Sequence, residues 1–287
     1  MNFHKSKNYQ IDMTNGSIVG KLIRFSGPLI FSGILQLLFN AADIVVVGRF
    51  AGDNSLAAVG STSSLINLLV NLFVGLSVGT NVVAANYFGA GKKNELSKTV
   101  HTAILLSIYS GIILTIVGVI GAKQILRLMQ SPEEVLVKAT LYLQIYFGGI
   151  TATMVYNFGS ALLRAKGDTQ RPLYILLFAG IINVVLNLIF VVFFKMDVAG
   201  VALATVISQT ISAILVVFCL MKEEDEFKLN IKKLKMDRDI FIRIVKIGVP
   251  AGFQGIMFSF SNVIIQSSVN SFGAITIAGN SAASNLE

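Results

Sequence analysis

An all-α membrane protein, a bundle of helices crossing the bilayer several times, is what this sequence predicts, and three observations predict it. Of the 287 residues, 54% are hydrophobic and only 13% charged, with a mean hydropathy of +0.74, whereas a soluble chain carries about 25% charged residues. The charges fall in short clusters between apolar stretches of roughly 20 or more residues, the length that crosses a hydrocarbon core. Those stretches are continuously apolar and do not alternate, which selects helices over a barrel as the means of satisfying the backbone in lipid.

Seven spans are predicted, at about residues 22–47, 56–86, 99–122, 136–163, 172–194, 198–221 and 240–270. The first carries Ser32, Gln36, Asn40 and Asp43, spaced so that they share one face of a helix while Leu, Ile, Phe and Val fill the others. A carboxylate at that depth costs about 2.5–3.5 kcal/mol on insertion scales. Asp43 therefore has to face protein or a wet cavity. The turn Gly48–Ser55 is short, making the first two helices antiparallel neighbours, and the second span carries Gly75 and Gly79, a pair that permits close helix contact. The run Phe88–Glu95 evokes a phosphate loop, but Asn86 and Lys93 occupy the positions that need Gly and Ser or Thr, so it is not assigned as a nucleotide site.

His101 reads as an interfacial histidine beside Lys98, since a proton relay belongs deeper in the membrane. The fourth span contains Asn157 and ends at a Gly167-Asp168 turn signal flanked by Arg164, Lys166 and Arg171. On the fifth, Asn183 and Asn187 lie one turn apart. On the sixth, Gly200, Ala202 and Ala204 allow tight packing and Thr205 and Ser208 add hydroxyls. Amides and hydroxyls in membrane helices commonly serve as interhelical glue. Oxygen-bearing groups at Asp43, Asn183, Asn187 and Thr205 would also suit a sodium ion or a proton if the helices bring them together. Ser32, Gln36, Asn40 and Asn157 are the candidate lining of a substrate cavity.

The net charge of +8 reports topology and predicts no nucleic-acid partner. With the N-terminus inside, the tail and the inner loops with their adjoining turns hold 18 of the 23 Lys and Arg residues, which places that side in the cytoplasm of a multi-pass cell-membrane protein. The single cysteine, Cys219, has no partner for an internal disulfide. Residues 1–20 are polar and carry no cleavable-signal pattern.

After the charged run Glu223–Asp239 the chain repeats its beginning. Setting Pro250 on Pro28 matches Phe253 with Phe31, Gly255 with Gly33, Ile256 with Ile34, Asn262 with Asn40, Val269 with Val47 and Phe272 with Phe50, while Ile265 replaces Asp43. An even number of spans separates the copies, so they share one orientation, as in transporters built from two parallel halves. The expected organisation is a six-helix N-terminal lobe (1–221), a charged cytoplasmic linker (222–239) and the start of a second lobe (240–287), whose remaining helices belong to a longer protein.

The stretches Ala42–Gly60, Gly89–Glu95, Leu162–Pro172, Asn183–Asn187 and Val198–Ser208 resemble, in order, the multidrug and toxic compound extrusion transporters. That resemblance implies a twelve-helix fold of two lobes about a central cavity, exporting cationic or amphipathic compounds in exchange for sodium or protons, with no other cofactor. In relatives with an N-lobe cation site, an acid of the first helix is joined by an Asn and an Asp of the fifth and a Thr of the sixth. Here Asp43, Asn183, Asn187 and Thr205 match, with Asn187 in place of the Asp, leaving one negative charge. Other relatives bind the ion through C-lobe acids. The seventh span offers only Gln254, Asn262 and Gln266. A flippase for a lipid-linked precursor is an alternative, but it should line its cavity with several cationic side chains, and none is expected mid-span. A truncated chain that transports nothing is another alternative. An enzyme fits least, because the spans hold no nucleophile with a base, no metal cluster and no nucleotide loop.

Overall fold

The helices of the chain follow one another through short turns. The computed structural model describes residue 11 and residues 18–283, and the polar tail expected for residues 1–21 lies largely outside them, as do residues 284–287. The elements are α1 (Ile18–Phe50), α2 (Asp53–Gly89), α3 (Lys93–Leu128), α4 (Glu133–Gly148), α5 (Ile150–Ala165), α6 (Gln170–Asn187), a π-helical turn (Leu188–Phe193), α7 (Asp197–Met221), a 3₁₀ turn (Ile231–Lys233), α8 (Arg238–Asn270) and α9 (Ala274–Ala283). Six helices are long and apolar enough to cross a membrane, and the pair α4–α5 supplies a seventh crossing.

That fourth crossing departs from the expected single helix over 136–163. It bends by 48° between α4 and α5, where Gly148 and Gly149 carry no side chain. The carbonyl of Phe147, beside the break, accepts a hydrogen bond from the Thr115 hydroxyl at 2.8 Å. A Cβ on Gly149 would run into the Val206 methyl groups, so the bend also lets α7 approach. Sequence periodicity does not register a kink whose cause lies on two other helices.

α1 touches α2, its neighbour across the short turn, and leans more heavily on α6. The Phe39 ring lies against Gly180, where any Cβ would strike it. Elsewhere α1 is open: Ile30, Ile34, Leu37 and Leu38 are exposed. The buried apolar side chains form two layers. One includes Val47, Leu65, Leu126, Leu143 and Val201, the other Val83, Val100, Phe158, Leu162 and Phe227.

α8 packs along α2 through four glycines. A Cβ on Gly248 would sit 2.6 Å from Leu76 Cα, and one on Gly252 would sit 2.6 Å from the Leu72 carbonyl oxygen, while Gly75 and Gly79 face the same seam. Farther along, the Asn71 amide donates to Ser259 Oγ at 2.7 Å. At its last turn Asn270 donates to the Met129 carbonyl at 2.9 Å, while accepting from Gln266 at 3.0 Å. The repeat is visible as structure. α1 and α8 are each 33 residues long with one internal proline, and each is followed by a positive-φ glycine, Gly52 (φ 83) or Gly273 (φ 91).

The charged segment after α7 is folded onto the bundle. Phe227 and Leu229 are buried, the Leu229 N–H donates to the Leu220 carbonyl at 3.0 Å, and Phe227 meets Phe88 edge to face. Lys166 pairs with Glu223 and Asp225, and Arg171 pairs with Asp168 and, at 2.6 Å, with Glu223. Lys166 and Arg171, expected only to mark the positive side, therefore belong to a largely buried ionic cluster. His101 Nε2 accepts from the Asn230 N–H at 3.2 Å while Nδ1 faces the Ser97 carbonyl at 2.7 Å. That histidine clips the segment in place.

Candidate functional site

Asp43 is aimed by its neighbours on α1. Val46 and Val47, three and four residues later and on the same face, are buried, so that face turns into the bundle. The close approach of Phe39 to Gly180 lies one turn before Asp43 on α1 and before Asn183 on α6. Helical spacing then carries Asp43 and Asn183 to neighbouring levels, with Asn187 one turn farther along α6.

There Asn187 donates a short amide hydrogen bond to Asp43 Oδ1. The same amide donates to Asn183 Oδ1 at 3.3 Å, and Asn183 donates to Thr205 Oγ1 at 3.4 Å. Thr205 in turn donates to the Val201 carbonyl at 3.0 Å. Asp43, Asn183, Asn187 and Thr205 thus form one connected polar chain across α1, α6 and α7. Asn183 and Asn187 are buried, and Asn187 Oδ1 is a buried oxygen without a hydrogen-bond partner. Asn187 also ends α6, and the π-helical turn begins at the next residue. Such wide turns concentrate at functional sites because they re-aim one side chain without breaking the helix.

Two residues of α4 stand out only in the structure. Tyr142 is buried in the same cluster as Val46 and Val47 of α1, stacked against Tyr146 at 6.2 Å. The signal present was a pair of tyrosines one turn apart in an otherwise apolar span. Toward the end of the bundle where α1 finishes, Lys138 bridges Asp197 at 2.5 Å and donates to Ser55 at 2.7 Å, joining α2, α4 and α7.

A cavity of about 460 Å³ opens between α1, α2, α5 and α6, toward the end where α1 begins. Ser32, Gln36 and Asn157 line it. Asn40 is not among its lining residues and is exposed. Ser32 is committed to the Pro28 carbonyl at 2.8 Å, while among the described residues no hydrogen bond engages the side-chain amides of Gln36 and Asn157. Arg164, read from the sequence as a loop residue, also lines this cavity. In α8, Gln254 and Asn262 are exposed, and Gln266 is taken up by Asn270.

Residues 28–189, more than half of the chain, match the MatE family model. The chain belongs to the MatE family. Among curated relatives of this MatE chain, the probable multidrug resistance protein YpnP of Bacillus subtilis (strain 168) is 29% identical over 276 residues, covering 96% of the chain and 62% of that relative. YoeA, a probable multidrug resistance protein of the same strain, is 31% identical over 258 residues, covering 87% of the chain and 56% of the relative. A solved structure described as the inward-facing conformation of a multidrug resistance MATE family transporter of the MOP superfamily superposes with a TM-score of 0.80 at 26% identity. That superposition covers 86% of the chain and 57% of the solved one. The MatE chain thus spans less than two thirds of the length of each, and the spanned part is a multi-pass helical membrane protein.

Proposed function

We propose that this MatE chain is the N-terminal lobe (1–221), linker (222–239) and start of the second lobe (240–287) of a secondary multidrug efflux antiporter. It sits in the cell membrane with its N-terminus in the cytoplasm and exports cationic or amphipathic compounds in exchange for sodium or protons. The observation that carries this reading is the polar chain Asp43–Asn187–Asn183–Thr205 with its unpartnered buried oxygen. Multidrug resistance names among the relatives support the cargo class.

The chemistry follows from the donor set. One carboxylate, two amides and a hydroxyl are hard oxygen donors, suited to sodium, and Asn187 Oδ1 is an acceptor that a bound cation would satisfy. A lone carboxylate can hold either a proton or a cation. Each occupant then favours a different conformation by its differential affinity, which is sufficient to couple two fluxes. Asn183 and Asn187 fix the carboxylate's direction, and Thr205 ties that arrangement to α7. Ser32, Gln36 and Asn157 line the cavity in which the exported compound would sit.

The test is Asp43→Asn in the full-length transporter, read as ethidium efflux from energised cells and as ethidium binding. The expected result is loss of ion-driven efflux with binding of the dye retained. Unimpaired ion-coupled export would remove Asp43 from the mechanism.

A further inference from the structure

The cavity between α1, α2, α5 and α6 carries one cationic group and no acid among its lining residues. Its polar lining consists of hydroxyls and amides from Ser32, Ser77, Asn81, Tyr156, Asn157 and Thr169, with Gln36 near one edge and a single ionisable guanidinium, Arg164. No Asp or Glu lines it. Arg164 Nε donates to the Ser160 carbonyl one turn back at 3.2 Å, which leaves both terminal nitrogens of the fork uncommitted. Among the described residues Arg164 forms no ion pair. Asp168, the acid nearest in sequence, pairs with Arg171, and Glu223 pairs with Lys166 and Arg171. Arg164 stands in the last turn of α5, two residues before Lys166 of the ionic cluster, and its open fork is a donor that an acceptor-rich or negative group would satisfy. The apolar part of the lining includes Phe25, Leu29, Val74 and Leu176.

We infer that this cavity binds an amphipathic anion, a sulfonate, phosphate or carboxylate on a compact apolar body, with the acid group held by the terminal nitrogens of Arg164 and its oxygens shared with the free amides of Gln36 and Asn157. A planar fork with two open donors suits an oxyanion, and the bond is charge-assisted. The inference rests on the reading of this cavity as the substrate cavity and adds the ligand's charge. Asp43 and Arg164 then place one negative and one positive group in the same lobe at different depths, so cation coupling and anion binding do not compete for one side chain.

The experiment uses the full-length transporter in phosphatidylcholine nanodiscs, with empty nanodiscs as blank, and two probes sharing one apolar body, 2-naphthalenesulfonate and 2-naphthylmethylammonium. Saturable binding is measured by calorimetry. The sulfonate is expected to bind at least about tenfold more tightly than the ammonium, the scale of a hydrogen bond to a charged group. Arg164→Gln is expected to erase that preference, and Arg164→Lys to keep most of it. Equal or better binding of the ammonium to the unaltered chain overturns the inference, and that comparison needs no variant. An unchanged sulfonate affinity in Arg164→Gln overturns it as well. Asn157→Leu, which fills the cavity, separates the two readings. Loss of both probes upholds the cavity whatever its charge preference, while unchanged binding of both means they bind elsewhere and the cavity reading falls with the inference. Repeating the titration in phosphatidylglycerol nanodiscs identifies the source of the anion. Competition by the lipid assigns the site to an anionic headgroup, and its absence assigns it to a small soluble anion; either result upholds an anion site.

Discussion

Asn187 does two things with one amide. Its Nδ2 holds Asp43 and Asn183 together, and its Oδ1 is left without a partner in a buried position. Replacing it with Leu removes the donor and leaves the carboxylate facing apolar surface, an expected loss of about 1–3 kcal/mol. A lower unfolding temperature, together with loss of any sodium-dependent rise in that temperature, is the outcome to measure. An unchanged sodium response would place the cation elsewhere. Asp237 gives a residue-scale prediction outside the membrane. It caps α8, accepting from the Ile240 and Asp239 N–H groups, and pairs with Lys98 at 3.1 Å. Those partners, the Ile240 amide first and Lys98 next, hold its carboxyl below the ordinary value of 3.8. A depressed carboxyl stabilises the folded state above the unfolded value, and that stabilisation is lost as pH falls through the folded one. Hydrogen exchange at the first turn of α8, corrected for the intrinsic rate, should therefore accelerate only below about pH 4, and Asp237→Asn should remove the step.

The α2–α8 seam belongs to the element scale. Gly75, Gly79, Gly248 and Gly252 bring backbone against backbone, so a larger residue cannot be absorbed by a rotamer change and the helix itself has to move. A cysteine pair, Asn71→Cys with Ser259→Cys in a Cys219→Ala background, replaces groups that are 2.7 Å apart. It should cross-link readily on mild oxidation. Adding Gly252→Leu should reduce the cross-linked yield several-fold, and undiminished yield would mean that the seam is not set by the missing side chain. The pattern Gly75-xxx-Gly79 was legible in the sequence. Its partner was not, because Gly248 and Gly252 lie across five intervening α-helices and one small-residue pair matches many faces equally well. The α4–α5 bend has the same character, depending on Thr115 and Val206 as much as on Gly148 and Gly149.

At the scale of the whole molecule, the proposed orientation makes a simple demand. Single cysteines placed by Ser131→Cys or Lys195→Cys should react with an impermeant maleimide from outside intact cells. Those placed by Lys92→Cys or Glu224→Cys should react only after the membrane is opened. The reverse pattern would invert the topology and with it the direction assigned to export. The ionic cluster of Lys166, Asp168, Arg171, Glu223 and Asp225 fits the cytoplasmic assignment, since it ties the folded linker to the lobe on the side richest in Lys and Arg.

Span number, span type, the internal repeat and the polar face of α1 were determined by the sequence alone, because lipid imposes a length and a composition on each helix separately and a local rule can be read locally. Tertiary structure decided which of those polar residues meet. Asp43 reaches Asn187 because a ring at position 39 finds a glycine at position 180, and Arg164 joins a cavity because α5 packs beside α2. Both depend on which helices lie side by side, a property of pairs that no single span encodes.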